Sequence, residues 1–203
     1  FITVDCDNVL TGKFLNQVNE VPEDVNFDNC VVSWPSYNII NGLMYGNGGI
    51  KCWPRHVVEG MRTHELADAG NVKSQIDFCW DLEYLPLDKS FSEIHNNGSA
   101  LQAWRAGFRE GVKMCLQRGR KPTIEEFKNQ VLRNLDNLTV WHNIGTDVDH
   151  GEWAIAGSRQ GTYMTMLTNW DHRLVQDFDA LAEIWDTVKD AEPRLLGGRV
   201  ADE

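Results

Sequence analysis

The hydrophobic pattern of this chain changes period about halfway along, and that change restricts the fold more than any other feature. In the first half, apolar residues come in short β-branched or aromatic runs broken by Gly, Pro and Asn: FITVD (1–5), CVVSW (30–34), GIKCW (49–53) and DFCWDLEYLPL (77–87). These are strand patterns, and FITVD reads as a buried strand delivering Asp5 to its carboxyl end. From residue 100 the spacing becomes three and four. Leu101, Trp104, Phe108, Val112 and Cys115 or Leu116 predict an amphipathic helix over 100–118. Thr123 with Glu126 is a capping box, opening a helix faced by Phe127, Val131 and Leu135. Leu174, Phe178, Leu181, Trp185 and Val188 predict a third helix over 172–189. Residues 11–29 read as a polar surface connection and 41–54 as a glycine-rich turn running into its strand. Gly145, Gly151, Gly157 and Gly161 divide 141–166 into loop and short helix, and the chain from 190 is a loose tail. Strands first and helices later give an α/β layered fold, one domain over 1–189.

The 203 residues are enough for a real core, and 42 % hydrophobic with 24 % charged residues excludes a disordered chain. No apolar run approaches a bilayer span. A net charge of −11 argues against a broad grip on nucleic acid or on an anionic membrane, and suits a divalent cation. Five scattered cysteines (Cys6, Cys30, Cys52, Cys79, Cys115) without a CxxC pair fit reduced thiols in a cytosol. The opening FITVD reads as the middle of something longer.

Val4-Asp5-Cys6-Asp7-Asn8 is the most informative short stretch. Two carboxylates at i and i+2, just past a hydrophobic strand, converge readily on one hard cation. Oxygen ligands of this kind suit Mg²⁺ or Mn²⁺, which keeps waters and bridges to substrate phosphates. Two chemistries use such a pair. A glycosyltransferase places the cation on the diphosphate of a nucleotide sugar. A haloacid-dehalogenase-type phosphatase uses the first Asp (here Asp5) as nucleophile and the second as general acid, and Ser33 would imitate its second motif. An isolated pair is also the ordinary start of a turn.

The block VVSWPSYNIINGLMYGNGGIKCWPR (31–55) resembles a family of glycosyltransferase-like proteins of tailed phages and bacteria, through Trp34, Ser36, Asn38, Asn41, Gly42, Leu43, Tyr45, Gly46, Gly48, Gly49, Ile50 and Lys51. AWRAGFREGVKM (103–114) and GEWAIAGSRQGTYM (151–164) resemble it too. The resemblance implies a GT-A fold, a Rossmann-like sandwich with a mixed sheet in which the acid pair follows a central strand, and a nucleotide-binding part upstream that this sequence lacks. It further implies a UDP- or GDP-linked sugar as donor, an unknown acceptor, and Mn²⁺ or Mg²⁺ held by Asp5 and Asp7, in the cytosol of a bacterium or phage-infected host.

Within that reading the glycines at 46, 48 and 49 let backbone approach a ligand closely, and Asn41, Asn47, Gly48, Gly49 and Lys51 are the candidate sugar or phosphate contacts. Arg159, in glycine-flanked AGSRQG, is a candidate diphosphate clamp on a late loop. His150, beside Asp147 and Asp149, is the candidate third metal ligand. Asp7, Glu65 and Asp68 are the candidate catalytic carboxylates, the last two as general base. Arg105 and Arg109 share one helix face, more simply a solvated one. Trp34 and Trp53 flank the proposed site, where indoles stack on sugars, although most tryptophans serve as packing. A non-catalytic, virion-associated carbohydrate-binding module is the remaining alternative.

Overall fold

A computed structural model describes residues 1–17, 25–60, 82–116, 120–128 and 147–193. These residues divide into two compact units, one ending at His95 and the other beginning at Asn96. The first is a mixed sheet with two short helices set between its strands, the second is helical; the described chain is therefore mixed α/β, with the long helices following the sheet along the sequence.

In the first unit β1 (Ile2–Val4), β2 (Asn8–Leu10), β3 (Cys30–Asn38), β4 (Leu43–Cys52), β5 (Glu83–Pro86) and β6 (Ser92–Ile94) form one six-stranded sheet, ordered β1-β4-β3-β6-β2 with β5 also on β3. β3 is the organising strand. It runs antiparallel to β4 and parallel to β5 and β6, which share its other edge. Because β3 is covered on both sides, it reads as a nearly continuous apolar run. One set of its side chains, Cys30, Val32 and Trp34, packs with Ile50, Phe91 and Phe14; Val31 packs with Trp53, Val57 and Leu82 on a second cluster. Phe14 belongs to α1 (Phe14–Gln17) and meets the Trp34 ring edge-on at 5.8 Å, so the expected surface connection contributes a core residue. Val57 comes from α2 (Arg55–Gly60).

Three strand expectations are corrected. FITVD is not a buried strand: β1 is terminal in the described sheet, pairs only with β4, and leaves Ile2 45 % and Val4 40 % exposed. The acid pair thus follows a terminal strand of this sheet, not the central one that the resemblance implies. CVVSW continues through Pro35 to Asn38. The stretch 41–54 turns only at its start: the reversal is at residues 39–42, where Gly42 takes φ 67°, and the glycines at 46, 48 and 49 lie within β4.

Pro35 explains the irregularity between these two strands. Trp34 pairs with Ile50 and Ser36 with Tyr45, so residues 46–49 lie opposite Pro35 alone. Proline has no N–H for the ladder, and the pairing breaks where it sits. β4 thus carries three residues more than β3 at this point, and Gly46-Asn47-Gly48-Gly49 form an enlarged bulge that bends the strand.

The bend is needed elsewhere. β1 and β2 stand at opposite ends of the strand order, about 19 Å apart in a flat sheet at the usual strand spacing. The residues joining them, Asp5 to Asp7, span at most about 14 Å when fully extended. The sheet therefore curls, and the acid turn links its two ends.

In the second unit α3 (Ala100–Cys115) follows the predicted period, with Ser99 capping it by accepting from the Gln102 N–H. The Thr123–Glu126 capping box is present, opening α4, described over residues 124–128. α5 (Gly151–Leu167) occupies the stretch expected to be loop and short helix. Its glycines are packing surfaces: Gly157 and Gly161 lie against the Trp104 and Phe108 carbonyls of α3, while Gly107 and Gly111 of α3 lie against the Ala154 and Ser158 carbonyls. The expected single helix over 172–189 is divided at Asp177 into a 3₁₀ turn (His172–Gln176) and α6 (Phe178–Val188), because the Asp177 carboxylate caps the second by accepting from the Asp179 and Ala180 N–H groups. Trp104, Phe108, Val112, Val175, Leu181 and Val188 make this unit's core.

Candidate functional site

The acid turn is fixed at both ends by backbone bonds. The Asp5 N–H donates to Gly49 O at 2.9 Å, Asn8 N–H to Asp5 O at 3.0 Å, and His95 N–H to Asp7 O at 2.7 Å. Asp5 and Asp7 are half-buried, and Cys6 between them is exposed. Burial pushes the Asp7 carboxyl above the usual carboxylate range; the Asn8 amide pulls it down, the Asp5 charge pushes it up, and the Lys51 ammonium pulls it down. Two carboxylates therefore stand within electrostatic reach of each other in a partly dry turn, the arrangement a bound cation relieves.

The bulge packs beneath this turn. Lys51, 6 % exposed, points back along its strand and donates from Nζ to Gly48 O at 2.8 Å. Ser33 Oγ donates to Asn47 Oδ1 at 2.7 Å. A Cβ on Gly48 would collide with Ser36, and one on Gly49 with the Asn8 amide. Gly48 is thus required by close packing against the main chain of β3, and Gly49 leaves the space that the Asn8 amide fills, both having φ outside the left-handed region. Lys51 is committed to the bulge, with its charge close enough to act on Asp7.

The structure brings together Asp5, Asp7, Gly48, Gly49 and Lys51, all in the first unit, while Asn47 of the same bulge is bonded to Ser33 of β3. Asn41 has a different position. It is 1 % exposed in the β3–β4 reversal, with Oδ1 accepting from the Leu43 N–H and Nδ2 donating to Tyr45 Oη. His150 and Arg159 belong to the second unit. His150 is exposed at the start of α5 with φ 59° and makes no capping bond with its side chain. Arg159 lies within α5 rather than on a loop, because its flanking glycines are helix-contact residues. Glu65 and Asp68 lie outside the described residues. Trp34 and Trp53 are 1 % and 2 % exposed, so both indoles are core and neither presents a face to a sugar. Arg105 stacks its guanidinium 3.8 Å from the Phe178 ring centre, a packing role.

Three residues received no role from the sequence: Asn8, Ser36 and Ser92. Asn8 Oδ1 lies 3.1 Å from Ser36 Oγ and 3.0 Å from Ser92 Oγ, the two hydroxyls are 2.5 Å apart, and Asn8 Nδ2 donates to Asp7 Oδ1 at 3.0 Å. The available signal was a serine at the centre of a buried strand, where a hydroxyl needs a partner.

Among the described residues no group of three or more His, Cys, Asp and Glu side chains forms a metal cage. A cation of the Mg²⁺ type needs no such cage: one or two carboxylates suffice when waters and substrate phosphates complete its shell, and Asp5 with Asp7 meets that requirement. The four described cysteines are free thiols, and no described helix is long and apolar enough to cross a membrane. No protein-family model, curated protein or solved structure matches the chain.

Proposed function

We propose that the first unit is the donor-diphosphate side of a metal-dependent glycosyltransferase of GT-A type. One observation carries this reading: the acid pair and the glycine bulge, more than forty residues apart in sequence, meet in one place, joined by the Asp5 N–H bond to Gly49 O. The resemblance assigns those same two segments to the cation and to the donor. Asp5 and Asp7 would hold Mn²⁺ or Mg²⁺, which when bound acts as a Lewis acid on the departing diphosphate. The chain's own residues prepare that place. The backbone bonds at Asp5, Asp7 and Asn8 keep both carboxylates in one turn, and the bulge holds that turn from below, Gly48 packed on Ser36 and Gly49 on the Asn8 amide. Buried Lys51 offsets part of the carboxylate charge. This reading uses residues of the first unit alone.

Calorimetric titration of UDP and GDP, with their sugar-linked forms, tests it. Binding that needs Mn²⁺, disappears on chelation and is lost in Asp7→Asn is the expected result. Nucleotide binding indifferent to chelation, or a chain that binds no Mn²⁺, refutes the reading, and trapping of Asp5 by beryllium fluoride would move the assignment to a phosphatase.

A further inference from the structure

The bonds around Asn8 have a direction. Ser36 and Ser92 are 0 % and 2 % exposed, and their two hydroxyl hydrogens are shared over the three contacts they make with each other and with Asn8 Oδ1. With Oδ1 turned to the serines, Nδ2 faces Asp7 and donates to it. The flipped amide would set Oδ1 against the Asp7 carboxylate, acceptor against acceptor, so the carboxylate selects the orientation and the serine hydroxyls, able to donate or accept, turn to donate to the oxygen it presents. Gly49 forms the seat, since a Cβ there would stand 2.2 Å from Asn8 Nδ2. The main chain of the turn is already held at Asp5, Asp7 and Asn8. What those bonds leave free is the rotation of the Asp7 side chain, and the Asn8 amide removes it.

We infer that Asn8 is a positioning residue: clamped by Ser36 and Ser92 and seated on Gly49, it aims the Asp7 carboxylate so that Asp5 and Asp7 meet one ligand. The inference rests on the donor-site reading for the identity of that ligand, but the clamp belongs to the protein alone. Groups that orient a ligating side chain are worth about 10- to 100-fold in metal affinity when removed.

The test uses the full chain with Mn²⁺ as the probe, free ion being counted by electron paramagnetic resonance. Asn8→Ala and the double variant Ser36→Ala/Ser92→Ala are each expected to weaken Mn²⁺ binding about tenfold or more. Gly49→Ala, which displaces the amide without deleting any of its partners, is expected to do the same. Asp177→Ala, a helix-cap change in the other unit, serves as the stability control and leaves the affinity unchanged. A folded Asn8→Ala or double-serine variant that binds within twofold of wild type overturns the inference while leaving the donor site standing. If the unaltered chain binds no Mn²⁺, the donor-site reading fails and the clamp is judged by nuclear magnetic resonance. Asn8 side-chain amide protons that exchange slowly and lose that protection in Asp7→Ala uphold it; fast exchange in the unaltered chain overturns it.

Discussion

Replacing Gly107 by Ala tests the packing of the second unit with a magnitude that follows from geometry. The new Cβ would stand 1.8 Å from Ala154 O, 2.6 Å from its carbonyl carbon and 2.8 Å from its Cα. A carbon normally stops about 3.3 Å from a carbonyl oxygen, so α3 and α5 must separate by about 1.5 Å at this crossing. The obstructing atoms are main chain and cannot turn aside. Overpacking of this kind costs about 1–3 kcal/mol, and the upper end applies to a backbone obstacle. Ala is about 1 kcal/mol better than Gly inside a helix, which offsets part of the loss. The expected net is destabilisation by about 2 kcal/mol, or roughly 4–8 °C in melting temperature for a chain of this size. Urea unfolding followed by tryptophan fluorescence measures it. Gly12→Ala, whose Cβ meets nothing within 4 Å, is the control and should stay within about 0.5 kcal/mol of wild type. Gly107→Ala combined with Gly157→Ala should lose less than the two single effects together, because one separation relieves both collisions. A Gly107→Ala protein as stable as wild type would refute the close crossing.

Asp7→Asn is expected to stabilise the fold at neutral pH. The Asp7 carboxyl is raised above 3.8 in the folded chain, so folding favours its protonated form; stability is full below that value and declines as pH rises through the folded pKa. The gain should be visible in melting curves at pH 7 and vanish near pH 2.5, whereas a loss at pH 7 would contradict the burial described. Asn41→Ala should cost about 2 kcal/mol in urea unfolding through its bonds to Leu43 and Tyr45 and leave Mn²⁺ affinity unchanged; a fall in affinity without loss of stability would return Asn41 to the site. Asp177→Ala should cost about 1 kcal/mol by uncapping α6, measured by the same unfolding curves.

Helix α3 was legible because its apolar residues keep one face, and the Thr123–Glu126 box because it too is a short-range pattern; the Ser99 cap of α3 is a signal the structure adds. α5 was not, since glycine lowers helix propensity while Gly157 and Gly161 serve a contact with another helix that no local window contains. Pro35 resembles a strand end when only its own missing N–H is considered. The residues opposite it on β4 absorb the defect, which only the pairing reveals. Asp5 with Asp7 and the glycine-rich stretch could be singled out as candidates because each is a compact motif, but the bulge that brings them together lies in the pairing of β3 with β4. Asn8, Ser36 and Ser92 were not readable as a clamp, because 28 and 84 residues separate the serines from the amide they hold.

Those separations carry a kinetic consequence. The acid turn joins β1, whose Thr3 pairs with Lys51 48 positions away, to β2, whose neighbour supplies a partner 84 positions away. Contacts so distant along the chain close late, because the loop entropy must be overcome before they form. The helices of the second unit, built largely on local spacing, have no such delay. During refolding, helical circular dichroism should therefore recover before the sheet assembles, and the Cys30 thiol, reactive in the unfolded chain and buried in β3 once it pairs, offers a chemical clock for that arrival.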